Sequence, residues 1–303
     1  MKLSYIIALF LPFAFALGAE APKDTDAKVA ELKAAAESIK PQAGEINLKQ
    51  GLAKLTLPAN LRYLSPDDSA TVLSKIWGNP VEEKPLGMIV PTGFSPFDPE
   101  SWAVVINYSD EGHVKDNDAA TINYEKLLAE MKKSAKENNE ARTKAGYASV
   151  DLVGWAASPH YDAVTHKLYW AKELKFSDSE EHTLNYNIRI LGRTGVLELN
   201  TVARLADLKT VESVTPMILS AVDFQSGNRY ADFKEDTDKV ATYGIAALVA
   251  GGIAAKTGLL KVLWLGILAF KKVIVFGAIA VGGFVKKLFG KKPSNGLHQD
   301  PSS

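Results

Sequence analysis

His160, Asp162 and His166 fall within seven residues and are the densest group of side chains able to hold a metal or move a proton. Neutral imidazole and carboxylate are both zinc ligands, and either serves as a general base. The spacing H-x-D-x3-H matches no established metal motif, however, and Pro159 marks a polar turn, so the structural reading is a loop between two strands. A second pairing of the same kinds of group is His113 with Asp116. Asp116 and Asp118, in K-D-N-D, also open like a calcium loop. An EF-hand would need a further ligand at 120, glycine at 121 and glutamate at 127, where Ala120, Thr121 and Leu127 stand, so turn formation and helix capping are the expected roles. Asp232, Glu235, Asp236 and Asp238 form an acidic cluster that reads as a cation site or, more simply, a solvated linker. Asn185, Asn187 and Arg189 alternate along one strand as a stripe able to recognise a polar ligand, which is also how the solvent face of an antiparallel sheet looks.

Several chemistries are excluded outright. The chain has no cysteine, which removes disulfides, thiol nucleophiles and thiolate-bound metals. No nucleophile elbow, P-loop, H-E-x-x-H or Rossmann glycine pattern occurs. No cofactor is indicated, and no particular metal. With 35 basic and 35 acidic residues, the chain lacks the electrostatic footprint of a nucleic-acid binder.

The elements that must position these residues follow from periodicity. Residues 20–44 read as a modest amphipathic helix and linker. Two short strands flank Gly51, a helix over 66–76 starts at Ser65 with Pro66 in its first turn, and an apolar run covers 86–91. Trp102, Val104, Ile106 and Tyr108 alternate as a strand. Asn123 caps a long helix whose apolar stripe is Tyr124, Leu127, Leu128, Met131 and Ala135. Strands follow over 150–156, around 168–176, over 184–190 and around 197–199, with Arg193–Thr194–Gly195 as a hairpin turn between the last two. A helix over 207–222 closes the body. Short links between sequential strands imply antiparallel pairing. The expected fold is therefore α+β: a meander-like antiparallel sheet with helices packed on one side, followed by a C-terminal helical membrane anchor.

Both ends carry membrane chemistry. Lys2 followed by the apolar stretch 5–17 and small residues at 14–19 reads as a signal peptide ending near residue 19. From residue 241 onward there are eight lysines against one acid, Asp300, so the basic end is also the most apolar end. Residues 240–285 hold four lysines and no acid. One continuous helix of that length would measure about 69 Å, roughly twice the hydrocarbon thickness, so it must break. Lysines divide it into 240–255, 257–270 and 273–285, short spans that snorkelling lysines can extend to the interfaces. The expected organisation is a signal peptide over 1–19, the linker helix over 20–44, an extracytoplasmic α+β domain over 45–238, membrane-associated helices over 239–289 and a polar tail over 290–303.

The strings I-W-G-N-P at 76–80, L-G-M-I-V-P at 86–91, V-K-D-N-D-A at 114–119, L-V-G-W-A at 152–156 and P-H-Y-D at 159–162 are more specific than packing requires. So are L-Y-W-A-K-E-L at 168–174, L-N-Y-N-I-R-I-L-G-R at 184–193 and G-N-R-Y-A-D-F at 227–233. Together, over roughly residues 45 to 290, they resemble an uncharacterised bacterial membrane-anchored family, domain of unknown function 2167. The resemblance implies an exported or membrane-anchored bacterial protein and no particular reaction. The expected function is that of a membrane-anchored bacterial envelope protein of no assigned biochemical activity, with its main domain extracytoplasmic in the periplasm, serving as an interaction or structural module whose partners are the lipid bilayer and another envelope protein. The alternative is a membrane-bound, metal-assisted hydrolytic enzyme using His160, Asp162, His166, or His113 with Asp116.

Overall fold

The computed structural model describes residues 23–78, 84–98, 101–144 and 148–251. In chain order these form α1 (Lys23–Glu37), β1 (Glu45–Leu48), β2 (Ala53–Thr56), β3 (Leu61–Leu64), α2 (Pro66–Ala70), β4 (Gly87–Pro91), β5 (Ala103–Ser109), β6 (His113–Lys115) and α3 (Tyr124–Lys144). There follow β7 (Val150–Asp162), β8 (Lys167–Phe176), β9 (His182–Leu191), β10 (Val196–Arg204), α4 (Leu208–Ala221), β11 (Val222–Phe224), β12 (Val240–Gly244) and α5 (Ile245–Ala250). The Ser65 hydroxyl accepts from the Asp68 N–H at 3.1 Å and starts α2, which continues as a π-helical turn over Thr71–Ile76. The Asn123 carboxamide accepts from the Lys126 N–H at 2.9 Å and starts α3.

A seven-stranded sheet in the order β3-β4-β5-β10-β9-β8-β7 organises the molecule. Every neighbouring pair is antiparallel, so two meanders, β3–β5 and β7–β10, join along β5 and β10. The expected α+β class with antiparallel pairing is therefore present. The expected first strand of the second meander is longer than periodicity suggested: β7 runs through Pro159 to Asp162 rather than ending near Ala156. Three irregularities of register let an edge strand carry that proline.

The sheet is covered on both faces, not on one. Against one face lie the small antiparallel sheet β1-β2-β11 and α4, which seal Leu55, Ile89, Val104, Ile106, Ile188, Leu199, Val211 and Ile218 into the largest apolar core. The opposite face is covered in three patches. The helix beginning at Pro66 packs on Met88, Val90, Ala103 and Val105. Leu128 and Ala135 of α3 pack with Val150, Leu152, Leu174 and Phe176. Ile245, Leu248 and Val249 of α5 pack with Leu168, Trp170, Leu191 and Val196.

Residues 240–250, the start of the apolar C-terminal region, belong to this packing. β12 pairs in parallel with β6, and α5 is one of the covering helices. The rest of the expected membrane anchor, and the expected signal peptide over 1–19, lie outside the described residues. Among the described residues no helix is long and apolar enough to cross a membrane.

Candidate functional site

The central sheet brings three of the five candidate residues together at the end of its α5-covered face. His113 comes from β6, Asp116 from the segment after it, and His166 from the turn between β7 and β8. His166 has a left-handed backbone (φ 53°), and its carbonyl accepts from the Leu191 N–H at 3.0 Å, which ties that turn to β9. The Tyr161 hydroxyl joins the groups: it donates to Asp116 Oδ2 at 2.7 Å and lies 3.1 Å from His166 Nδ1. Asp116 Oδ2 is itself 3.5 Å from that nitrogen.

The rings form a ladder. Phe233 stacks on His113 with centroids 4.0 Å apart, Tyr230 covers the other side of His113 at 4.2 Å, and Tyr230 stacks on His166 at 3.9 Å. The Tyr230 hydroxyl donates to the Val114 carbonyl at 3.1 Å. His113 Nδ1 is buried without a hydrogen-bond partner.

Electrostatics follow from this enclosure. Burial lowers the His113 pKa, a tendency opposed by the carbonyls of Gly192 and Arg193 and by Asp116 and reinforced by His166. Burial also works to raise Asp116, but hydrogen bonds from Tyr161 and Tyr230, its own backbone and the nearby His166 outweigh it, leaving the carboxyl below its usual range. Burial, followed by the hydrogen bond to Asp116, pushes the Tyr161 phenol far up. A phenol held protonated and already donating to a carboxylate is a poor nucleophile.

The other two candidates stand apart. His160 is exposed on β7 with its ring against Tyr169 at 5.1 Å. Tyr169 borders the largest core, so His160 faces away from His166. Asp162 accepts from the Val164 N–H at 2.9 Å and the Thr165 hydroxyl at 2.7 Å, forming the β7–β8 turn. Residues two apart on a strand share a face, so the H-x-D-x3-H group is split by the turn itself, which engages Asp162 and turns the chain at the left-handed His166. Among the described residues no three His, Asp or Glu side chains converge to hold a metal.

The remaining carboxylates have structural partners. Asp118 accepts from the Ile245 and Ala246 N–H groups at 3.0 and 3.2 Å and so caps α5. Asp232 accepts from the Gly227 and Arg229 N–H groups at 2.8 and 2.9 Å. Asp238 takes a bidentate grip from Arg193 at 2.7 and 2.8 Å, and that hydrogen bonding holds its carboxyl far below the usual range. The expected solvated linker over 232–238 is instead tied back to the sheet.

A second polar group occupies the middle of the same face. Asn185, Asn187 and Arg189 are not solvent-facing: their exposures are 4%, 4% and 8%. They sit between the three apolar patches and share the face with Trp170, Lys172, Glu198 and Asn200, their cross-strand neighbours. Arg189 donates to Asn200 Oδ1 at 2.9 Å, lies 3.6 Å from Glu198 and rests over the Trp170 ring at 5.2 Å. Asn187 donates to the carbonyl and Oδ1 of Asn185 at 2.9 and 3.0 Å. Burial pushes the Lys172 ammonium down to about 8, and the Arg189 charge adds to the shift.

Sequence reasoning missed the Tyr161 hydroxyl as the link between Asp116 and His166, Tyr230 and Phe233 as ring partners, and Lys172 as a half-buried cation. Lys172 carried a readable signal, since it interrupts the inward stripe Leu168, Trp170, Leu174, Phe176. The rings carried none, because their neighbours come from segments far apart in the chain.

A family model described as protein of unknown function (DUF2167) matches residues 40–282. The comparison with curated proteins finds no match. Among solved structures, the solution structure of cyanobacterial PsbP (CyanoP) from Synechocystis sp. PCC 6803 aligns at 11% identity. The alignment covers 60% of this chain and 91% of that one with a TM-score of 0.32, a likeness too slight to carry a conclusion.

Proposed function

The chain belongs to the family described as protein of unknown function (DUF2167), and from that footing we propose that it is a bacterial envelope protein serving as an interaction or structural module. In this reading the apolar, lysine-flanked sequence beyond residue 251 holds it in the lipid bilayer, and residues 1–19 direct its body across the membrane. The observation that supports a module over an enzyme is the enclosure of the imidazoles. His113 is sandwiched between two aromatic rings, and His166 is stacked on Tyr230 with Nδ1 beside Tyr161 and Asp116. A general base must reach the proton that it removes through a ring nitrogen, and here His113 Nδ1 is buried and His166 Nδ1 is engaged by the protein itself.

One observation favours the second reading, a membrane-bound hydrolase: an Asp116–His166 contact that orients an imidazole, as in many acid–base pairs. Complementation distinguishes the two. Full-length Asp116→Asn and His166→Gln variants are expected to reverse whatever phenotype deletion causes, provided that they accumulate to wild-type levels. Loss of complementation by well-accumulated variants favours the hydrolase. For the tether, carbonate-washed membranes from cells making the full chain are expected to retain it, and recovery in the supernatant overturns that part.

A further inference from the structure

The polar centre of the α5-covered sheet face holds several donors that have no partner among the described residues. Arg189 can only donate, so its bond to Asn200 fixes Asn200 Oδ1 as the acceptor and leaves the Asn200 NH2 group without a partner among the described residues. Asn187 donates to both oxygens of Asn185, which in the same way leaves the Asn185 NH2 group over. Trp170 Nε1 is buried with no hydrogen-bond partner, on a side chain only 1% exposed. No carboxylate among the described residues pairs with Lys172. Glu198 lies 3.6 Å from Arg189, so this carboxylate answers the arginine.

Buried donors without acceptors cost stability, and a buried cation without a counter-charge costs more. Trp170 Nε1 is such a donor; with the half-buried Lys172 and the amides of Asn185 and Asn200 on adjacent strands, beside an arginine held in place by Trp170 and Asn200, it is arranged for an acceptor that carries negative charge. We propose that this face binds the anionic oxygen group of a small ligand, a carboxylate or phosphate oxyanion, between Lys172, Arg189 and the amides of Asn185 and Asn200. The depressed ammonium of Lys172 fits this assignment, because an arriving anion would restore its full charge. The assignment is independent of whether the chain is tethered or catalytic. Its chemistry is shared by free small anions and by a phospholipid headgroup.

Trp170 gives the site its own reporter. The full chain in non-ionic detergent, labelled with 15N at the indole, has five tryptophan resonances to follow, and Trp170→Phe identifies the relevant one. Sodium acetate, inorganic phosphate and glycerophosphoglycerol are titrated at constant ionic strength against sodium chloride. A saturable displacement of the Trp170 signal by at least one of them is expected, with a midpoint about tenfold or more weaker in Lys172→Gln, the loss typical of a charge-assisted hydrogen bond. Response to acetate alone assigns a carboxylate, to inorganic phosphate a free phosphate, and to glycerophosphoglycerol alone a lipid headgroup. No saturable displacement by any of the three, or an unchanged midpoint in the variant, overturns the site. Should Lys172→Gln fail to fold, Asn185→Ala carries the same comparison with the cation retained.

Discussion

His113 sets the acid sensitivity of the fold at the scale of a single residue. Its folded pKa lies below the ordinary value of 6.5, so below that pH the unfolded chain binds the proton more readily than the native one. The stability it supports is complete above pH 6.5 and declines as pH falls from there toward the folded value. Asp116, lowered from 3.8, contributes stability that is present above 3.8 and is lost as pH falls further. Urea midpoints measured against pH are expected to fall in these two successive windows. His113→Phe, which keeps a ring in the ladder, is expected to flatten the upper one; an unchanged slope there would assign it to another group. Tyr161→Phe tests the link between the two residues. It removes the donor to Asp116 and is expected to cost about 1–2 kcal/mol in urea unfolding, with the Asp116 window moving up in pH. Of these partners the sequence showed His113, Asp116 and His166 as titratable groups. It gave no sign of the stacking, since Phe233 and His113 are 120 residues apart.

At the scale of elements, β12 and α5 depend on a residue far away in the chain. Asp118 supplies the acceptor for the first N–H groups of α5, and a Cβ added at Gly244 would stand 2.6 Å from that carboxylate, so the capping side chain would have to shift. Asp118→Ala is expected to destabilise by about 1 kcal/mol through loss of the cap. Gly244→Ala is expected to destabilise the wild-type chain but cost markedly less in the Asp118→Ala background, and additive losses in a double-mutant cycle would show that the two do not share one contact. Capping was a readable role for Asp118, because K-D-N-D lacks the rest of a calcium loop. The helix that it caps was not readable. Residues 240–250 are apolar and glycine-containing, and such a run has the same local pattern whether lipid or a sheet face covers it. β6, β11 and β12 are three to five residues long, too short for alternation to stand out.

The whole molecule is divided by charge and polarity between an acidic body, with 27 basic against 34 acidic residues before residue 241, and a basic, apolar C-terminal end. If that division places the body outside the cytoplasm, protease added to spheroplasts is expected to cut body loops such as the exposed turn at Val164, while protease protection until the membrane is opened would place the body on the inner side.

Composition, periodicity and turn residues by themselves determined the α+β class, the antiparallel meander, the caps of the helices at Ser65 and Asn123, and the motifs that mark the family. These are local properties, written within a few residues of where they act. Tertiary structure alone decided that both sheet faces are covered, that His160 and His166 part company, and that the asparagine–arginine stripe is buried. A polar stripe of period two has one signature in sequence, whether water or another layer of protein lies over it. Only the arrival of α3, α5 and the helix at Pro66 on that face distinguishes the two.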